Sequence, residues 1–157
     1  MGDEMDIRLL NDIIVKAKAA TYVGGGTKVG ASRPGAHDLA WSDGPWRYLD
    51  SYFGGTDFLG QEVTWFEDEP VWAMNYYGHI VLPGLIDGQR AGETIKAALS
   101  AMYAEGRFLG GFQWSGAHGT YIDSSTGDVA HFHGREVITV EGREAYALDY
   151  YGGLVKP

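Results

Sequence analysis

A chain of 157 residues is one domain by size, and its 45% apolar content is enough for a core. Twelve Lys and Arg against 21 Asp and Glu leave a net charge of −9, which repels nucleic-acid phosphate and argues against DNA or RNA as a partner. With no cysteine there is no disulfide, thiol nucleophile or thiolate-held metal, and no run reaches the roughly 18 apolar residues of a membrane span. The acidic opening MGDEMD differs from the basic start of a secretory signal, so a soluble, cytoplasmic protein is expected. Twenty-four glycines beside 13% aromatic residues fit tight turns between short strands, because disordered chains are poor in aromatics.

In chain order, residues 5–20 carry Leu10, Ile13, Ile14, Ala17 and Ala20 at helical spacing, and Gly24–Gly26 stops that helix. Residues 21–45 read as an ordered, irregular arm containing SRPG (Ser32–Gly35), with a short strand at 38–42. Strands are expected at 46–53, 58–67 and 71–79, followed by a loop at 80–90. A second amphipathic helix is expected at 91–105, with Ile95, Ala98, Leu99 and Met102 on one side and Gly106 as its stop. After a glycine-rich stretch at 106–118, strands near 119–124, 128–133, 135–141 and 144–151 complete the chain.

The chain also repeats itself. Residues 58–78 (FLGQEVTWFEDEPVWAMNYYG) and 132–152 (FHGREVITVEGREAYALDYYG) share nine of 21 positions at an offset of 74, among them Gly60/Gly134, Glu62/Glu136 and Tyr76/Tyr150. The expected architecture is α+β: one domain over 1–157, with an internal duplication whose units are 46–79 and 120–153. Helix followed by antiparallel strands occurs twice, giving a curved sheet with two helices on one face and an aromatic cleft on the other.

Alternation along the strands then divides the residues by face. Trp72, Met74 and Tyr76, with Tyr146, Leu148 and Tyr150, form a bulky face suited to the helices. The opposite face combines Ala73 and Ala147 with Asn75, Tyr77, Asp149 and Tyr151, the composition of a pocket wall. Glu62 and Glu136 occupy matching places where a desolvated carboxyl can act as acid or base, neutralise a cation, or simply anchor a turn. Tyr48, Asp50 and Tyr52 share one face of a strand, and at the offset of 74 they meet Ile122, Ser124 and Thr126, so this triplet reads as unrepeated. The ligand-binding candidates are therefore Tyr48, Asp50, Tyr52, Glu62, Asn75, Tyr77, Glu136, Asp149 and Tyr151. The catalytic candidates are Asp50, Glu62, Glu136 and His79.

Other signals are weaker. His131 and His133 lie on one strand face as half of a metal set, with His118, His79 or a carboxylate as the third ligand, but no further spaced pair supports a metal. Gly24–Gly26 lacks the Gly-Lys-Ser/Thr of a phosphate loop, and no Ser stands in a nucleophile elbow. Arg33 is either an anion contact or a lock on the arm. No cofactor is called for.

The strings AKAATYVGGG (17–26), SRPG (32–35), YLDSYFGGTDFLGQE (48–62) and WAMNYYG (72–78) resemble a bacterial family of uncharacterised domains. Its members occur alone or C-terminal to XRE-type helix-turn-helix regulators. The resemblance implies an effector-sensing module, although this chain carries no helix-turn-helix segment of its own. In its duplicated pattern the chain is also similar to GyrI-like small-molecule-binding domains, where two modules enclose an aromatic pocket containing a Glu. Two readings follow. One is a binding module, for sensing or carriage, whose aromatic pocket holds a small ligand through Asp50, Glu62 or Glu136. The other is a small cofactor-independent hydrolase, isomerase or cyclase using one of those carboxylates as general acid/base, with a Tyr or Asn75 stabilising charge. An aromatic face that buries a protein partner, or a homodimer through a strand edge, is compatible with either.

Overall fold

The computed structural model describes residues 5–157. The acidic opening at residues 1–4 lies outside them. Helix α1 (Ile7–Lys18) begins where the Asp6 carboxylate accepts the backbone N–H groups of Arg8 (3.0 Å) and Leu9 (3.1 Å), a side-chain N-cap. Its stripe Leu10, Ile13, Ile14 and Ala17 is buried, and Lys18 at the C-terminal end of that stripe is buried with it. The helix then widens into one π-helical turn, Ala19–Val23, which stops at glycines where Gly25 and Gly26 take φ of 84° and 55°.

The strands are β1 (Thr27–Val29), β2 (His37–Asp43), β3 (Trp46–Gly54), β4 (Phe58–Phe66) and β5 (Glu69–Ile80). Helix α2 (Gly88–Ala104) follows, capped by Asp87, and then β6 (Phe112–Gly116), β7 (Gly119–Asp128), β8 (His131–Val140) and β9 (Arg143–Leu154). All nine strands belong to one curved antiparallel sheet in the order β1-β2-β3-β4-β5-β9-β8-β7-β6. About the β5–β9 pairing, β2 to β5 on one side mirror β6 to β9 on the other, and β1 is an additional edge strand. The α+β class and the two helices are as the sequence predicts. No helix among the described residues is long and apolar enough to cross a membrane.

Three stretches differ from expectation. The arm holds β1 as well as the short strand expected at 38–42, which is β2, and the glycine-rich segment after α2 contains β6. The four strands expected after residue 118 are three, because Gly134 is inside a strand rather than at its end. That glycine is needed for packing: a Cβ there would overlap the ring of Tyr150, which lies across it. The reversal falls at Val129–Ala130 instead, with the Asp128 carboxylate accepting the Ala130 N–H at 2.9 Å.

Both helices pack on one face of the sheet. Ile13, Ile14, Ile95, Leu99 and Met102 meet Trp72, Met74, Tyr146, Leu148 and Tyr150 in a single core. Trp72 is fully buried and donates its indole N–H to the Val129 carbonyl at 3.1 Å, tying the β7–β8 turn to β5. The opposite face is open to solvent, with Tyr77 and Tyr151 at 47% and 61% exposure.

Candidate functional site

Two sets of four side chains on the helix-covered face repeat one hydrogen-bond pattern. In the first, Asp50 on β3 stands opposite Glu62 on β4; Tyr48 donates to Glu62, and Tyr76 on β5 donates to Asp50 at 2.5 Å. In the second, Asp123 on β7 stands opposite Glu136 on β8; Tyr121 donates to Glu136 at 2.5 Å, and Tyr150 on β9 donates to Asp123 at 2.7 Å. Glycines make this geometry possible. Gly60 faces Tyr76 and Gly134 faces Tyr150 across the ladder, so each ring lies flat over a bare backbone and its hydroxyl reaches the third strand.

The expectation that Tyr48 and Asp50 lack counterparts is thereby corrected. Tyr121 and Asp123 follow them at 73 residues, whereas Glu136 follows Glu62 at 74. Glu62 lies 12 positions after Asp50 and Glu136 lies 13 after Asp123, so the second hairpin is one residue longer and a gapless comparison loses register across its turn. Tyr52, by contrast, corresponds to Ser125: both face the strand glycine, Gly60 and Gly134 respectively.

All four carboxylates are at least nine-tenths buried, and among the described residues one buried cation, Lys18, pairs with them. Lys18 places Nζ 2.8 Å from Glu62 Oε1 and 3.3 Å from Met74 Sδ, with the rings of Phe108 and Trp72 at 5.1 and 5.8 Å. One ammonium does not neutralise four carboxylates, so the cluster retains protons. Burial, followed by the Glu62 charge, pushes the Asp50 carboxyl up to about 7. Burial and then the Asp123 charge push Glu136 up to about 7, and burial raises Asp123 to about 6 against the opposing Tyr150 hydrogen bond. Burial, with the neighbouring carboxylates, likewise raises the hydroxyls of Tyr48, Tyr121 and Tyr146, so they stay protonated as donors.

A cavity of about 80 Å³ lies between this face and the helices. Its polar wall is Lys18, Tyr48, Asp50, Glu62 and Glu136, and Ile95, Leu99, Tyr103 and Phe108 cover it. Tyr146 lines it too; that residue is 1% exposed, and its hydroxyl has no hydrogen-bond partner among the described residues. Asp50, Tyr76, Tyr146 and Tyr22 also line an open cleft of about 340 Å³ beside the cavity. The cleft runs between the π turn, β3 and the first turns of α2, where Gly25, Gly55, Gly88, Ala91 and Gly92 leave space and Tyr52 forms one side.

The structure thus brings Tyr48, Asp50, Tyr52, Glu62 and Glu136 to one side of the sheet, and it leaves Asn75, Tyr77, Asp149 and Tyr151 on the other. The aromatic cleft expected on the helix-free face is instead under the helices. The physical reason is Lys18 and the Tyr hydroxyls, which satisfy the carboxylates well enough for helices to cover them. On the open face Asn75 bonds Gln61 (2.9 Å) and Tyr151 (3.3 Å), and Asp149 pairs with Arg135 at 3.0 Å, a solvated surface network. His79 stacks on Tyr77 of that same face, away from the four carboxylates. His131 and His133 are exposed, His118 pairs with Glu93 at 2.8 Å, and no group of three metal-ligating side chains is found among the described residues. Arg33 locks the arm: it bonds Ser51 at 2.8 Å and stacks over Phe53.

Sequence reasoning missed Lys18, Tyr22, Tyr103, Asp123 and Tyr146. Lys18 was visible in principle, since it stands four residues after Ile14 in the apolar stripe. Tyr22 depends on a π turn that no spacing announces.

Neither a curated protein nor a solved structure matches the chain. A family model, described as a domain of unknown function, matches residues 50–155, a span that begins at Asp50 and includes Glu62, Asp123 and Glu136, and the chain belongs to that family, DUF5680.

Proposed function

We propose that this domain binds a small organic molecule in the cavity and cleft beneath the helices, held by Tyr rings and anchored by a carboxylate. One observation carries the reading: a buried aromatic cavity keeps carboxylates and an unpartnered Tyr146 hydroxyl on its wall, and an open cleft leads to it. Concave, largely apolar sites with a few convergent polar groups are the usual form of a small-molecule site. The nine identities between residues 58–78 and 132–152, with the two matching sets of carboxylates and tyrosines, support an internal duplication whose halves meet at this site.

A second reading is favoured by Asp50. Its carboxyl, raised to about 7 by burial, is suited to general acid/base work, and it borders the cleft through which a substrate would arrive.

A thermal-shift screen of the chain against metabolites and aromatic cations tests both. A ligand at 100 times its Kd adds about 2.7 kcal/mol of stability. Tyr22→Ala, on a half-exposed residue of the cavity wall, is expected to weaken that shift about tenfold in apparent affinity while changing the ligand-free melting point little. A hit recovered unchanged supports binding, and a converted hit makes the domain an enzyme. Hits unaffected by Tyr22→Ala and Tyr103→Ala overturn the cavity as the site.

A further inference from the structure

The two halves are not equivalent around the cavity, and the difference points to the ligand. In the second half Asp123 lines neither the cavity nor the cleft. The loop after α2 closes over it: Gly110 donates its N–H to Ser125 at 2.8 Å, and the Arg107 guanidinium bonds the carbonyls of Leu109 and Gly111, both at 2.8 Å. In the first half Tyr52 stands where the second has Ser125, and the glycines of the π turn and α2 leave the cleft open. Asp50 is therefore the carboxylate common to cavity and cleft.

Its surroundings define what it can take. Tyr76 donates to Oδ1, and among the described residues no hydrogen bond reaches Oδ2. Tyr22, Tyr76 and Tyr146 line both the cavity and the cleft and Tyr52 lines the cleft beside them, a set of aromatic rings of the kind that attracts a cation, and the Tyr146 hydroxyl has no partner among the described residues. Lys18 is committed to Glu62 at 2.8 Å. Lys28 stands exposed at the cleft rim, where water and salt screen its charge. Glu62 and Glu136 add negative charge on the inner side. Beyond the junction, Leu39, Ala91 and the glycines give the open cleft a mostly apolar wall beside Thr21 and Thr56, with no second buried charge among the described residues that line it.

We propose that the ligand is an amphipathic amine, with its ammonium group against Asp50 at the junction of cavity and cleft and its apolar tail along the cleft. The inference rests on the binding site argued above and names the ligand class for it. Because Asp50 titrates near neutrality, ammonium binding displaces a proton from it, and the amine's affinity rises with pH up to about 7.

The test uses two matched series on the full chain: primary alkyl and arylalkyl amines of increasing length, such as 2-phenylethylamine, and the alcohols of the same skeletons. Titration calorimetry in phosphate and in ACES, two buffers that hold pH 6.5 and differ in ionisation enthalpy, reads affinity and proton release together. The expected result is an amine preference of at least about tenfold over the matching alcohol, worth about 1.4 kcal/mol, with proton release on binding. Asp50→Asn should abolish both, and Asp68→Asn, at the exposed turn between β4 and β5, should retain the preference. Should Asp50→Asn not fold, Tyr22→Ala serves, and it should weaken amines more than alcohols. Alcohols that bind as well as amines overturn the amine inference and leave the pocket standing, as does a library hit outside both series. No stabilisation by any compound in the screen overturns the pocket itself.

Discussion

Gly60 and Gly134 matter because of what lies on them. In each half a Tyr hydroxyl must cross an intervening strand to reach an Asp, and it can do so only where that strand has no side chain. Alanine at either glycine would place a Cβ inside the ring of Tyr76 or Tyr150. Gly60→Ala is expected to cost about 1–3 kcal/mol, the range for overpacking a tight interior. Chemical denaturation of Gly60→Ala, Tyr76→Ala and the double variant checks the mechanism: the double variant should lose less than the two singles added, since the clash disappears with the ring. Strict additivity would mean that Gly60 is required for some other reason. At this scale the repeated Gly and Glu positions were legible in the sequence, because both survive a gapless alignment. Asp50 and Asp123 were not recognised as a pair, because one residue more between Asp123 and Glu136 than between Asp50 and Glu62 moves Asp123 out of register. Glu62 could be singled out, but its Lys18 partner is 44 residues away on another element.

Among the elements, α2 bears most on the site, since its first turn supplies Gly88, Ala91 and Gly92 to the cleft wall. The Asp87 carboxylate holds that turn by accepting the Arg90 N–H at 2.9 Å and pairing with the Arg90 guanidinium at 3.3 Å. Asp87→Ala should leave the core of α2 intact while speeding amide exchange over Gly88–Ala91. It should also weaken any ligand that occupies the cleft. Exchange that stays slow would show that packing of Ala91 and Ile95, rather than the cap, fixes this end. Helix and strand periodicity located α1, α2 and β3 to β5 closely, because each buries one regular stripe. It placed an aromatic cleft on the helix-free face, whereas the Tyr-lined cavity and cleft lie under the helices, because alternation separates two faces without stating which one can bury charge. A face carrying Asp and Glu looks solvent-bound until an ion pair and several Tyr donors on other elements are seen to satisfy it.

In the whole molecule, the carboxylate cluster links folding to pH. Asp50 and Glu136 are held up to about 7 and Asp123 to about 6, chiefly by burial, whereas unfolded Asp and Glu titrate near 3.9 and 4.3. Between about pH 4 and 7 the folded chain therefore binds more protons than the unfolded chain. Stability changes with pH in proportion to protons bound unfolded minus folded, which is negative here, so these groups make stability fall as pH rises through that window. The Asp87 carboxylate, held below its usual range by the Arg90 backbone N–H, titrates under the window and does not offset this. Thermal unfolding should accordingly give a higher midpoint at pH 5.5 than at pH 8. Asp50→Asn, which cannot ionise but retains an acceptor for Tyr76, should flatten that dependence and gain relative to the parent mainly at pH 8, where the parent must hold Asp50 charged or bind a proton to avoid it. An unchanged slope in Asp50→Asn would mean that Asp50 is already ionised at pH 5.5. A ligand ammonium beside that carboxylate would make its charge favourable, so an amine that occupies the site should reduce the penalty at pH 8 and steady the midpoint across the same range.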